Sequence, residues 1–358
     1  FTMVRMECCL YIMYNMDLHG LQRQRYTKGI NGSNVFGVSN QRSNKLDMRI
    51  VEDLKLDYKD VLFQPKRSKL ESRRDVEVLR TFTFHNSQRT FKCLPIMASN
   101  MDGVGTFAMA KVLQEHKMMT VLRKHYTIDD WTKAIGEGIN LKYLSVCTGT
   151  AAIWDKDAED YSLTKEVIKR WPDIKFITID VANAYHQNYA DFVSRVRDDF
   201  PDRVIIAGNV ITGEMTEELI IKGADIVKCG IGPGSVCITR TMTGVGVPQF
   251  SGVLECADAA HGVGGHIIAD GGCTEPGDVS KAFGAGADFV MLGGMLAAHE
   301  ESELNKTEDG KYEFYGMASD TAMQKYGRRK DGYRGAEGKR VLLKDRGPVE
   351  PTIVEIIG

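Results

Sequence analysis

The amino-acid sequence predicts a (β/α)8 barrel, on three observations. From residue 94 onward, apolar or β-branched runs alternate with amphipathic segments, about eight times over roughly 200 residues. The linkers between them are short, as parallel βαβ units require. The residues just after each run are polar and glycine-rich, the pattern of barrel strands whose carboxyl ends carry a site. A doubly wound open sheet is the alternative reading.

In order, the strand candidates are 94–100, 120–125, 143–148, 175–180, 204–208, 224–230, 265–270 and 287–292. Each centres on an apolar stretch, such as Val204-Ile205-Ile206-Ala207 or Phe289-Val290-Met291-Leu292, that is too short for a helix. The segments 106–117, 127–136, 186–200, 212–222, 249–261 and 276–283 carry helical spacing instead, as in Tyr189, Phe192, Val193 and Val196. Two strands share the pattern Gly-Ala-Asp-(Ile/Phe)-Val, at 223–227 and 286–290. The runs end in Asn100-Met101-Asp102, Lys124-His125, Cys147-Thr148-Gly149-Thr150, Asp180-Val181-Ala182-Asn183, Gly208-Asn209, the loop 230–240, Asp270-Gly271-Gly272 and Gly293-Gly294. The double glycines of the last two loops stand where barrels bind phosphate on backbone N–H groups.

The stretch from Lys228 to Arg240 is the centre of the arrangement. Three glycines and a proline follow a buried run and force unusual backbone angles, with Cys237 at the far end. Converging N–H groups in such a loop can lower a thiol pKa, and inward carbonyls can hold a monovalent cation. The bland alternative is a turn with an inert thiol. Together these features predict a barrel enzyme with a phosphorylated substrate and a thiol nucleophile.

Composition narrows the class. There are 46 basic and 48 acidic side chains, so neither nucleic acid nor an anionic membrane is expected as a partner. No apolar run is long enough to span a bilayer. The eight cysteines are scattered, with neither zinc-type nor disulfide spacing, which fits a reducing cytoplasm. Residues 1–47 read as an N-terminal extension, disordered or artefactual, and 48–358 as a single catalytic barrel. The segment 315–346 breaks the alternation and reads as a loop that serves as a flap over the mouth.

Gly-Ile-Gly-Pro-Gly-Ser-Val-Cys-Ile-Thr-Arg (230–240), with Asp-Gly-Gly-Cys (270–273), Met-Leu-Gly-Gly-Met-Leu (291–296) and Tyr-Gly-Met (315–317), resembles the IMP dehydrogenase/GMP reductase family from residue 48 to 358. The closer likeness is to its reductase branch. The span 124–148 leaves no room for the regulatory insert of the dehydrogenases, and Tyr333-Arg334-Gly335-Ala336-Glu337-Gly338-Lys339 follows the reductase flap pattern.

That resemblance implies a reaction in which GMP is converted to IMP and ammonia with NADPH, through a cysteine thioimidate, in purine salvage. It implies Cys237 as nucleophile, Thr239 and Glu337 as the proton-handling pair, and Lys124 beside substrate and cofactor. Asp270 would bind ribose. Ser235, Gly271, Gly272, Gly293 and Gly294 would bind phosphate, and Gly316, Met317, Ser319, Arg334 and Gly338 the rest of the nucleotide. The cofactor would meet Asp180, Met317, Tyr333 and Arg334, and also Ser72 and Arg73 from a neighbouring subunit of a homotetramer. Carbonyls of Gly232, Gly234 and Cys237, with Arg240 nearby, would hold a monovalent cation such as K+. The rival readings are IMP dehydrogenase and a catalytically impaired nucleotide-binding relative.

Cys147 and Cys229 read as buried strand cysteines, and Cys273 as the rival nucleophile. The chain departs from the family pattern at Ala184, Ile238 and Gly335, of which Ala184 is expected to crowd the cofactor. It is also expected to lack the family's C-terminal segment beyond 358.

Overall fold

A short antiparallel hairpin, β1 (Arg80–Thr83) and β2 (Thr90–Cys93), precedes the barrel in the computed structural model. The structure describes residues 50–72, 75–155, 158–326 and 335–358. The extension 1–47 therefore lies outside the described residues, as do Arg73, Tyr333 and Arg334.

Eight strands then close into a barrel: β3 (Ile96–Ala98), β4 (Met119–Val121), β5 (Leu144–Thr148), β6 (Phe176–Asp180), β7 (Val204–Val210), β8 (Ile226–Cys229), β9 (His266–Asp270) and β10 (Phe289–Leu292). All neighbouring pairs are parallel, and β10 returns to β3. The strands are buried on both faces because helices cover the outside and side chains fill the inside, which is why they read as continuous apolar runs.

The covering helices are α1 (Phe107–Leu113), α2 (Ile128–Gly136), α3 (Glu159–Arg170), α4 (Gln187–Asp199), α5 (Gly213–Ile221), the short α6 (Thr239–Thr243), α7 (Gln249–Gly262) and α8 (Pro276–Gly284). All but α6, which buries no residue, turn an apolar stripe inward; α4 buries Tyr189, Ala190, Phe192, Val193 and Val196. Thr106 and Thr127 start α1 and α2 by accepting hydrogen bonds from Met109 and Asp130 N–H, and Asp130 answers Thr127 in a capping box.

The expected loop at 315–346 is instead an ordered ribbon at its stems. β11 (Tyr312–Tyr315) pairs antiparallel with β12 (Arg340–Leu343), and α9 (Asp320–Lys325) lies between them. The break in alternation read as a loop, but the buried Tyr312, Phe314 and Tyr315 anchor β11. The last helix, α10 (Glu350–Ile357), packs Ile353 into the core beside α8. The hairpin closes the other end. Phe82, Phe84 and Phe91 enter the barrel at the amino ends of its strands and pack with Phe176, Val204, Ile226 and Phe289.

Candidate active site

Three strands in register build the charged floor of the mouth. Asp180 in β6 pairs with Gly208 in β7, which pairs with Lys228 in β8. A Cβ at 208 would lie 2.5 Å from the Lys228 carbonyl oxygen and 2.7 Å from its Cβ, so a glycine is needed for lysine to reach across the middle strand. Lys228 Nζ donates to Asp180 Oδ1 at 2.6 Å and to Asp270 Oδ2 at 3.1 Å. Asn209 Nδ2 donates to the same Asp270 oxygen at 2.8 Å. Burial opposes the lysine charge, but the two carboxylates outweigh it and raise the Lys228 pKa. Burial also opposes the Asp180 charge; Lys228 and then Lys124 reverse that and hold its pKa below the usual range. Lys124 therefore shares the mouth with Asp180.

The cysteine loop leaves β8 and ends at α6. Cys237 N–H donates to the Gly234 carbonyl at 3.0 Å, which turns the thiol toward α6. Its Sγ lies 3.3 Å from Thr239 Oγ1, and Thr239 Oγ1 donates to Glu337 Oε2 at 2.7 Å. The carboxylate arrives on the flap stem, which is bonded to the loop backbone. Ile238 N–H donates to the Glu337 carbonyl at 2.8 Å, and Lys339 N–H to the Val236 carbonyl at 2.9 Å. Cys237 and Gly338 thus face each other as an antiparallel bridge. Thiol, hydroxyl and carboxylate form one chain of contacts across 100 residues of sequence.

Six thiols fall among the described residues. Cys93, Cys147, Cys229 and Cys256 are buried, and Cys237 and Cys273 are partly exposed. Burial, helped by the Asp180 charge, pushes Cys147 up to about 12. Burial and the charges of Asp278 and Asp270 raise the Cys273 thiol as well, so it stays protonated and a poor nucleophile.

The glycines are close-approach positions. A Cβ on Gly294 would meet Ser235 Oγ at 2.8 Å, and one on Gly271 would meet Pro233 at 2.9 Å. Gly272 lies against the Tyr58 ring. Gly293 lies beside Ser99, whose hydroxyl is buried without a hydrogen-bond partner. The backbones of Gly316 and Gly338 touch, with a Cβ on either 3.1 Å from the other's Cα. Met317 is half-buried between them and Ser319. Ser319 is 2% exposed, and its hydroxyl caps α9 by accepting from Ala322 N–H. Arg240 braces the loop, donating to the Ile231 and Val247 carbonyls, and its stem packs where a Gly232 side chain would stand.

Ser72 lies elsewhere, on the exposed segment ahead of the hairpin, in a turn with Asp75. Ala184 is fully buried, and its N–H donates to the Asn209 carbonyl at 2.9 Å.

The sequence reading gave no role to Lys228, Asn209, Ser99 or Asp102. Asp102 is 2% exposed and accepts from Tyr315 at 2.7 Å, Tyr326 at 2.6 Å and Lys325 at 3.1 Å, which latches the flap to the loop after β3. Burial opposes its charge, but the Tyr326 and Tyr315 hydroxyls and Lys325 prevail and lower its pKa.

The family described as "IMP dehydrogenase / GMP reductase domain" matches residues 55–358. Curated proteins named GMP reductase are similar to the chain. The one from Tolumonas auensis is 56% identical over 316 residues, covering 87% of this chain and 89% of the relative. Those from Aliivibrio fischeri and Vibrio cholerae are also 56% identical, over 316 and 317 residues, with the same coverage.

Proposed function

Because the chain belongs to the IMP dehydrogenase/GMP reductase family, we propose that it catalyses the NADPH-dependent reductive deamination of GMP to IMP and ammonia. The observation that carries this reading is the Cys237–Thr239–Glu337 chain, with contacts of 3.3 and 2.7 Å.

Cys237 Sγ attacks purine C2, and the exocyclic amine must leave. An amine is a poor leaving group until it is protonated, so a proton source within reach of C2 is required. Thr239 Oγ1 passes that proton, with Glu337 aligning and recharging the hydroxyl. Loss of ammonia leaves a thioimidate between Cys237 and the purine. NADPH, when bound, supplies hydride to C2. Departure of the thiolate then releases IMP.

Asp270 takes the ribose hydroxyls, with Lys228 and Asn209 fixing its carboxylate. Ser235, Gly271, Gly272, Gly293 and Gly294 receive the phosphate on backbone N–H groups and one hydroxyl. Gly316, Met317, Ser319 and Gly338, with Arg334 from outside the described residues, would contact the rest of the nucleotide. Lys124 and Asp180 serve the cofactor side with Met317, Tyr333 and Arg334; an ammonium and a carboxylate suit the phosphate and hydroxyl groups of a dinucleotide. The carbonyls of Gly232, Gly234 and Cys237 are hard oxygen donors that suit K+, while Arg240 shapes their loop. Ser72 and Arg73 would serve a neighbouring subunit of a cytoplasmic homotetramer that acts in purine salvage. The exposed Leu62, Phe63 and Leu70 on the same segment support such an assembly.

The test is direct. Purified protein with GMP and NADPH should lose absorbance at the reduced-nicotinamide band and form IMP. Turnover only of IMP with NAD would make it a dehydrogenase, and nucleotide binding without turnover a disabled relative. Glu337→Gln should then slow ammonia release by roughly 100- to 10,000-fold while sparing hydride transfer to a preformed thioimidate. Equal slowing of both steps would sink the proton-handling role.

A further inference from the structure

At the opposite end of the barrel, three side chains of metal-binding type meet where the proposed reaction needs none. His261 lies in the last turn of α7, His266 opens β9, and Asp288 immediately precedes β10. The Asp288 carboxylate sits between the two rings. Its Oδ2 lies 2.9 Å from His261 Nε2, and its Oδ1 lies 3.1 Å from His266 Nδ1. One ligand atom from each residue falls within 4.8 Å of the others.

The repeated Gly-Ala-Asp motif gives an internal control. In its first copy, Asp225 Oδ2 accepts from Ile205 N–H at 3.0 Å and from Arg197 at 2.6 Å. Its Oδ1 accepts from Asn86 and Ser87 N–H. Every group facing that carboxylate is a donor, and nothing more is needed. In the second copy, Asp288 Oδ2 accepts from Ile267 N–H at 2.9 Å, and His261 stands where the first copy has Arg197. On the Oδ1 side the backbone donors are replaced by the His266 ring.

A neutral His266 ring leaves one close contact unsatisfied. His266 Nε2 lies 3.3 Å from the Thr83 carbonyl, an acceptor, so Nε2 carries the hydrogen. Nδ1 of a neutral ring is then an acceptor. It is shut off from solvent, makes no aligned hydrogen bond, and faces a carboxylate oxygen, which is also an acceptor. Either a second proton on His266 or a bound cation satisfies this pair, and the nearby His261 nitrogen supplies a third ligand atom for a cation.

We propose that this cluster binds a divalent transition-metal ion of the Zn2+ type, through His261 Nε2, His266 Nδ1 and the Asp288 carboxylate. Two imidazoles and a carboxylate are a set that zinc takes, with water in the fourth position. The His261 side chain is 46% exposed, which leaves that position open. The bond from His266 to the Thr83 carbonyl is the outer partner that orients a metal-bound imidazole. Metal–ligand bonds of about 2.0–2.1 Å give tetrahedral edges of roughly 3.3 Å, so the two short pairs need only open slightly. The ion would join α7, β9 and β10, and through Thr83 the hairpin that plugs the barrel. The rival answer is a second proton on His266.

The experiment uses the full chain carrying Cys237→Ser and Cys273→Ser, which removes both partly exposed thiols among the described residues. Metal-free protein at neutral pH is titrated with Co2+, then with Zn2+. The expected result is one bound Co2+ with ligand-field absorption of a nitrogen/oxygen site and no thiolate charge-transfer band, displaced by Zn2+. Zn2+ should also raise the unfolding temperature. His261→Ala, at a half-exposed position that the fold tolerates, should weaken uptake by about 10-fold or more while its near-ultraviolet circular dichroism stays unchanged. Asp288→Asn should do the same if it folds. The proposal is overturned if the unsubstituted cluster takes up neither ion, which would leave the proton as the answer. It is equally overturned if His261→Ala binds as well as its parent, or if the spectrum shows sulfur ligation.

Discussion

The plugged end of the barrel and its open mouth use the same eight strands differently. At the plug, Phe82, Phe84, Phe91, Phe176 and Phe289 fill the interior, and Phe82 and Phe289 lie 4.3 Å apart between ring centroids. At the mouth the aromatic filling gives way to glycines, a buried lysine between two aspartates, and main chain turned toward an open space. Apolar packing at one end supplies stability without chemistry. The other end keeps charges in place at a desolvation cost that the rest of the barrel offsets. The lesson is that substitutions at the two ends should separate stability from turnover.

The largest separation is expected at Cys237. Cys237→Ala should lower kcat by about 10,000-fold or more, since no other thiol near the mouth among the described residues is an able nucleophile. Its unfolding temperature should stay within about 2 °C of the parent, because a partly exposed side chain leaves little cavity. If Cys237→Ala kept its rate and Cys273→Ala lost it, the choice of thiol would be wrong.

The converse case is Phe84, which is fully buried in the plug. Phe84→Ala should cost about 3–5 kcal/mol of stability through transfer and cavity terms. That corresponds to a fall in unfolding temperature of roughly 6 °C or more, read by calorimetry. The KM for GMP at a temperature where the variant is folded should be unchanged. A large KM shift would show that the two ends are coupled.

A smaller effect, which sharpens the boundary between the regions, concerns the Asp102 latch. Its folded pKa is lowered, so its contribution is complete above the ordinary aspartate pKa of about 3.9 and is lost as pH falls through the lower folded value. Hydrogen exchange of the amides in β11 and α9, corrected for the intrinsic pH dependence of exchange, should therefore accelerate only below about pH 4. Asp102→Asn should accelerate it at every pH, by a factor corresponding to about 1–3 kcal/mol, with no acid step. An acid step that survived in Asp102→Asn would assign the latch to another carboxylate.

Much of this was legible in the sequence, and the parts that were not have physical reasons. The eight barrel strands are buried on both sides, so they announce themselves as apolar runs. Helix α3 was not assigned, because Tyr161, Val167 and Ile168 are set among charges and its apolar stripe is thin. The hairpin at 80–93 has four-residue strands, too short for periodicity to register. Cys237, Thr239 and Asp270 came from ordered motifs. Lys228 was only a charge inside an apolar run, since Asp180 and Asp270 stand 48 and 42 residues away in sequence. Its meaning comes from strand register alone. The same holds for Asp102, whose partners are more than 200 residues downstream.

The bridge between Cys237 and Gly338 has a consequence for how such a protein can diversify. Val236 and Ile238 hold the flap stem by main-chain hydrogen bonds, so the backbone at Glu337 is registered to the cysteine loop whichever side chains those two positions carry. Lineages would then be free to experiment with what the flap recognises and still inherit the reaction, since the inherited part is written in backbone.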